Sequence, residues 1–285
     1  MRLLGQLPLA WVRALGWVLG WLLFALAAGR RHVVRVNLRL CYPDATPQRI
    51  RVLTIKTFIY FARAWVDRGW LWHGPATTLQ KRLRITGARH ELDGHEPTVI
   101  FSPHFVGLDA GWTALTQQVP REFTTIYSSQ ADKVVDAWIL AGRQRFGQSR
   151  LFGRADGVKT IVSALRRGAP LYLLPDMNFS LEESFFVPFY GVPTSTLPSL
   201  SRFSKLGRAK VVPVVTCMTD EGYDVRVLAA WPDFPTDDLY ADTAHMNRCL
   251  QTYIDEMPAQ YYWVHKRFKE RPEGGASVYA EMDGK

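Results

Sequence analysis

At 285 residues, 47% of them hydrophobic, the chain is long enough for one large α/β domain and has ample apolar material for its core. Lys and Arg outnumber Asp and Glu by 35 to 26, and the net charge of +9 suits either an anionic lipid surface or nucleic acid. With no zinc-type Cys/His spacing and no aromatic-interleaved nucleic-acid motif, a membrane is the expected partner and nucleic acid is not.

Residues 1–29 form the first element. Ala14 to Gly29 holds no charge, Leu7 to Ala28 holds only Arg13, and Trp11, Trp17 and Trp21 are spaced along the stretch. This falls just short of the ~20 apolar residues usually needed to cross a bilayer. Ala25-Leu26-Ala27 loosely resembles a signal-peptidase site, but the basic, helix-like continuation counts against cleavage, and a buried core helix would be an unusual N-terminus. The reading is a retained membrane anchor, spanning or deeply inserted. Arg30, Arg31 and Arg35 directly after it point the body to the cytoplasmic side.

A basic amphipathic helix is expected from Arg30 to Leu40, broken by Tyr42-Pro43-Asp44. Thr46 caps the next helix, with Pro47 at its first position, and helical periodicity runs from Ile50 to about Trp72. From Leu83 the pattern changes to short apolar runs: LRITGA, TVIFSP, FTTIYS, RLFG, LYLLPD and KVVPVVTC. Helical segments near Leu108–Gln118, Asp132–Phe146 and Gly157–Arg167 lie between them. This alternation predicts an α/β fold, a mostly parallel central sheet flanked by helices, with DVRVLAA as an antiparallel edge strand and Asp237–Met257 as a terminal helix. The expected organisation is an anchor (1–29), a single domain (30–275) with a helical part (30–82) and an α/β core (83–275), and a loose tail (276–285). Cys41, Cys217 and Cys249 are scattered and odd in number, which fits buried thiols in a reducing compartment.

The chemistry centres on VIFSPHFVGLDAG, where His104 follows an apolar strand and Asp109 lies five residues on. A histidine beside a carboxylate is the minimal device for taking a proton from a hydroxyl near neutral pH. Spacing alone is weak, because His265 and Glu270 repeat it within the basic run HKRFKER. His104 stands apart by its place between a strand and a helix. Backbone N–H groups at the start of that helix are candidates for holding an oxyanion.

Three other stretches carry candidate binding groups. Arg154 sits between a strand and a helix that Asp156 can cap, a position suited to clamping phosphate, or equally to a surface ion pair. Asp176 ends the buried run LYLLPD, so it belongs on the same sheet edge as His104, where it would bond an acceptor hydroxyl or cap a turn. The FFVPFYG that follows reads as an acyl groove or as core. In YYWVHKRFKER aromatic and basic residues alternate, and Lys266 and Arg267 would hold anionic headgroups.

Together these motifs carry a resemblance. RHVVRVNLRLCYPD, PHFVGLDAG with its His-x4-acid pattern, Gly153-Arg154, LLPDMNFS, FFVPFYGVPTST, KVVPVV and WVHKRFK fall in order across residues 30–270. In this the chain resembles the lipid A biosynthesis (late) acyltransferases of Gram-negative bacteria, within the wider glycerolipid and lysophospholipid acyltransferase superfamily. It departs in having Asp176-Met177 followed by Asn178 where the family has an Asp-Gln pair, and Asp109 where Glu is commoner.

The resemblance implies a bacterial inner-membrane enzyme on the cytoplasmic face. Its donor would be an acyl thioester on acyl carrier protein or coenzyme A, and its acceptor a hydroxyl of a lipid A precursor. No metal or redox cofactor and no acyl-enzyme are implied. His104 would be the base and Asp109 its orienting partner, with Arg154, Asp176, Asn178, Lys266 and Arg267 binding substrate. Two other readings stay open: an acyltransferase acting on a lysophospholipid or another glycolipid, and a non-catalytic lipid-binding protein.

Overall fold

The computed structural model describes residues 1–178 and 182–280, with the side chains of Arg154 and Glu273 outside the description. After a short 3-10 turn, helices α1 (Leu9–Leu26), α2 (Ala28–Cys41), α3 (Pro47–His73) and α4 (Ala76–Arg82) form the N-terminal part. Thr46 accepts the Arg49 N–H at 3.2 Å and Pro47 opens α3, the start that the sequence marks.

α1 does not stand apart from the body. Gly16 lies against the backbone of Arg63 and Gly20 against that of Ile59; a Cβ on either would come within 2.7 Å and 2.5 Å of their Cα atoms. As numbers rise along α1 they fall along α3, so the two helices are antiparallel and in close backbone contact. Small residues four apart permit that approach. Arg13, the one charge in the apolar stretch, turns inward and is 8% exposed, pairing with Asp67 at 3.1 Å and donating to the Gly222 carbonyl. Asp67 also accepts from Tyr223 and Trp70, which satisfies a fully buried carboxylate. The other face of α1 leaves Trp11, Trp17, Val18, Leu22 and Leu26 exposed.

The α/β part follows as β1 (Leu83–Gly87), β2 (Thr98–Phe101), α5 (Leu108–Gln118), β3 (Phe123–Ile126), α6 (Lys133–Arg143), β4 (Ser149–Phe152), α7 (Gly157–Arg166) and β5 (Leu171–Leu173). Then come β6 (Phe185–Phe189), β7 (Val192–Thr196), α8 (Ser199–Gly207), β8 (Lys210–Thr219), β9 (Gly222–Val227) and α9 (Leu239–Glu256). Seven strands form one sheet in the order β1-β9-β8-β2-β5-β3-β4, parallel throughout except for the β8–β9 pair. Its central strands are buried on both sides: Val99, Phe101, Leu171 and Leu173 face one core, and Ile100 and Tyr172 face the other.

One expectation changes here. The β9 strand is antiparallel, as read, but it is not the edge; β1 pairs outside it in parallel. FFVPFYG, read as groove or core, takes the second role: it forms half of the β6–β7 hairpin, turned by Tyr190 and Gly191, both at positive φ, and Phe189 joins the hydrophobic core. The hairpin packs on α9 and buries Val187 and Phe189.

Candidate active site

The site arises from strand register. β2 and β5 are parallel neighbours with Phe101 opposite Leu173. Each strand runs on through a proline two residues later, Pro103 and Pro175, and then presents His104 and Asp176. Proline keeps both extensions out of helix and withholds an N–H from the ladder, so the two side chains emerge side by side. His104 Nδ1 and Asp176 Oδ1 are 2.7 Å apart. Asp176 Oδ2 accepts the His104 backbone N–H and the Tyr261 hydroxyl, each at 3.0 Å.

Asp176 has no exposed surface, whereas the His104 side chain is 24% exposed. Burial pushes the Asp176 carboxyl up, but the His104 ring and the three hydrogen bonds outweigh it and hold the group below the usual carboxylate range. An ionised Asp176 accepts a hydrogen bond from Nδ1–H, which leaves Nε2 as the basic nitrogen of the ring. A C-terminal strap, residues 261–267, fixes this arrangement. Tyr262 N–H donates to the His104 carbonyl at 3.0 Å, and the Tyr262 ring lies 6.3 Å from the His104 ring.

Asp109 is elsewhere. It sits in the first turn of α5, 4% exposed, between two arginines. Arg68 of α3 places Nε at 2.8 Å and Nη2 at 2.7 Å from one carboxylate oxygen. Arg143, ending α6, places Nε and Nη2 at 2.9 Å from the other. Burial raises the Asp109 carboxyl, but Arg143 and Arg68 prevail and keep it below the ordinary value. No hydrogen bond joins Asp109 to His104 among the described residues. The expected pairing of His104 with Asp109 is therefore corrected to His104 with Asp176, because strand register brings Asp176 to the ring while both oxygens of Asp109 are committed to arginines.

The remaining candidates divide. Asn178 lines the cavity and its carbonyl oxygen meets the His265 ring nitrogen. Burial, with Arg267 and His104 nearby, lowers the His265 pKa to about 4. The His265–Glu270 spacing makes no pair among the described residues, and Glu270 instead meets Lys269 at 3.2 Å. Asp176 does not face a substrate; it is consumed by His104 and Tyr261.

Arg267 is 2% exposed and donates to the Ser195 carbonyl and Thr196 Oγ1 at 2.7 Å and 2.8 Å, tying the strap to β7. Its expected headgroup contact is corrected to an interior one. The Lys266 ammonium lies 5.5 Å from the Tyr279 ring and does not line the cavity. The Arg154 side chain lies outside the described residues, though its neighbours Gly153, Gly157 and Val158 line the cavity. The N–H groups of Phe105, Val106 and Leu108 already donate to the Pro103, Gln260 and Phe105 carbonyls, which occupies three of the N–H groups that follow His104.

A cavity of about 770 Å³ connects these groups. Its wall includes the apolar side chains of Ile126, Ile161, Leu173, Leu197 and Phe203 together with Arg68, Asp109, Arg143 and His104. Sequence reasoning missed Arg68, Arg143, Tyr261 and α8. The one available signal for Arg68 was a lone cation near the end of the aromatic helical run AWVDRGWLW.

A histidine bonded to a buried carboxylate at the carboxyl edge of a largely parallel sheet, on the wall of a partly apolar cavity, is the arrangement of an α/β enzyme site. Over residues 1–270 the chain matches the family described as bacterial lipid A biosynthesis acyltransferase, and it belongs to that family. It is 28% identical over 280 residues to the lipid A biosynthesis lauroyltransferase of Escherichia coli (strain K12), covering 96% of this chain and 90% of the relative. The lipid A biosynthesis myristoyltransferase of the same strain is 27% identical over 263 residues, 90% of this chain and 81% of its own. A lipid A biosynthesis acyltransferase of Haemophilus influenzae is 29% identical over 255 residues, covering 87% and 78%. The chain is accordingly an O-acyltransferase.

Proposed function

We propose that the protein transfers a fatty acyl chain from a thioester donor, carried by acyl carrier protein or coenzyme A, to a hydroxyl of a lipid A precursor. The observation that carries the mechanism is the 2.7 Å bond between His104 Nδ1 and buried Asp176 at the wall of the cavity. His104 Nε2 takes the acceptor hydroxyl proton as that oxygen attacks the thioester carbonyl. Asp176 holds the tautomer and stabilises the imidazolium. As the C–O bond forms and the C–S bond breaks, the proton passes from the imidazolium to the leaving sulfur. The hydroxyl attacks directly, so no acyl-enzyme is needed. The acyl chain is assigned to the apolar side chains of the cavity wall, and Asp109 to holding Arg68 and Arg143 in place.

The exposed apolar face of α1 supports attachment to the inner membrane, and Arg30, Arg31 and Arg35 favour its cytoplasmic face. The test is to incubate membranes containing the protein or its His104→Ala variant with an acyl thioester and a lipid A precursor, then weigh the lipid products. The added mass should equal one fatty acid less water and should vanish with the variant. Unchanged product from His104→Ala would sink the mechanism.

A further inference from the structure

We propose that Arg68 and Arg143, held by Asp109, form an anion site inside the reaction chamber for a phosphate group of one of the two substrates. Two guanidinium groups share one carboxylate, which leaves the cluster with one net positive charge on a cavity wall. Each arginine approaches Asp109 edge-on through Nε and Nη2, so their Nη1 groups point away from the carboxylate. Arg68 Nη1 is buried and has no partner among the described residues. That atom is enclosed, but both side chains keep exposed surface, 15% for Arg68 and 21% for Arg143, and both line the cavity, where a phosphate oxygen can meet them.

The forks are also held in orientation. Arg68 stacks 4.3 Å from the Trp65 ring centroid and 5.5 Å from that of Trp72, and Arg143 lies 5.5 Å from that of Tyr127. Aromatic faces keep the planar groups fixed, so little side-chain freedom is lost when an anion binds. Two rigid forks on one wall match the several oxygens of a phosphate better than one flexible lysine would. The expected headgroup residue Arg267 is turned into the interior, and Lys266 lies off the cavity, which leaves this cluster as the described cationic wall of the chamber.

The owner of the phosphate depends on the acyl-transfer reading. It is either the phosphorylated headgroup of the acceptor lipid or the phosphodiester in the pantetheine arm of the donor; binding itself does not depend on that reading. The experiment uses the full chain in detergent and its Arg68→Lys and Arg143→Lys variants, which keep the charge on Asp109 but lose the fork. Inorganic phosphate is titrated at constant ionic strength and followed by tryptophan fluorescence, with Trp65→Phe as the control for signal from the site. Wild type should saturate, and the variants should bind at least tenfold more weakly while melting within a few degrees of it.

In turnover, each variant should raise the KM of one substrate at least tenfold with kcat changed less than threefold. That increase should disappear when the same substrate lacks phosphate: a dephosphorylated acceptor identifies the lipid, and a truncated phosphate-free thioester identifies the donor. A KM defect that persists with both phosphate-free substrates, or absence of phosphate binding by wild type, overturns the anion site. Phosphate binding by a wild type that acylates no lipid would leave the site standing and overturn the acyl-transfer reading instead.

Discussion

His104 and Asp176 stand at the same height on two adjacent parallel strands, three residues beyond the register pair Phe101 and Leu173, and their side chains meet at 2.7 Å. The relationship is a property of the sheet and not of the His-x4-Asp spacing. Asp109, the acid of that spacing, lies in the first turn of α5 and faces two arginines. The proton relay and the acid motif are therefore separable by mutation.

Asp176→Asn should lower kcat on the order of 10²–10⁴-fold, because an amide cannot stabilise the imidazolium and can hold the wrong tautomer. Acyl transfer followed by product mass over a pH series reads this directly. Asp176→Asn turnover within threefold of wild type would refute the relay.

Asp109→Asn should act mainly on stability. It leaves two buried guanidinium groups facing a neutral amide, and breaking a buried ion pair from one side costs about 3–5 kcal/mol. The melting temperature should drop by several degrees, while the pH dependence of the remaining activity keeps its wild-type midpoint. A shifted midpoint without destabilisation would return Asp109 to the relay.

Acid stability should fall in two stages. His265 has its pKa lowered from 6.5 to about 4 by burial and neighbouring cations. Between those values the unfolded chain binds the proton better than the folded one, so stability is intact above about 6.5 and declines as pH falls toward 4. At about 1.4 kcal/mol per pH unit, the loss is about 3 kcal/mol. Asp176 and Asp109 have depressed carboxyls, and their contribution is present above the unfolded value of about 3.9 and is lost below it. Melting curves from pH 7 to 3 should show the first stage removed in His265→Gln and the second retained.

Attachment to lipid should depend on the outer face of α1 and not on its packing face. Leu22→Lys with Leu26→Lys changes two exposed positions, so it should weaken flotation with anionic vesicles and leave the melting temperature within a few degrees. Gly20→Leu should instead destabilise the fold by at least about 1–3 kcal/mol, since its Cβ alone would lie 2.5 Å from Ile59 Cα. Undiminished flotation of the Lys pair would remove α1 as the attachment surface.

Much of this architecture is legible in the chain. Apolar runs of four to eight residues between helical segments specify a sheet buried on both faces. Thr46-Pro47 starts α3 where its capping chemistry says it should. Ser102-Pro103-His104 and Leu174-Pro175-Asp176 both read as strand ends carrying polar groups. These features are local, and local sequence determines them because strand period, proline geometry and helix caps act over a few residues.

What tertiary structure decided is which of those groups touch. Strand order puts β5 beside β2 although their paired positions Val99 and Leu171 are 72 positions apart and β3 and β4 intervene in the chain, and only that adjacency gives His104 its carboxylate. The arginines that claim Asp109 come from α3 and α6, at separations of 41 and 34 residues, and no spacing rule connects them. His265 and Arg267 look solvent-facing in a basic run, yet the strap they belong to is pinned by Tyr261, Tyr262 and β7, which turns both inward. Charge in a sequence marks an energetic demand for a partner; the packing of distant elements settles whether that partner is water, lipid or another side chain.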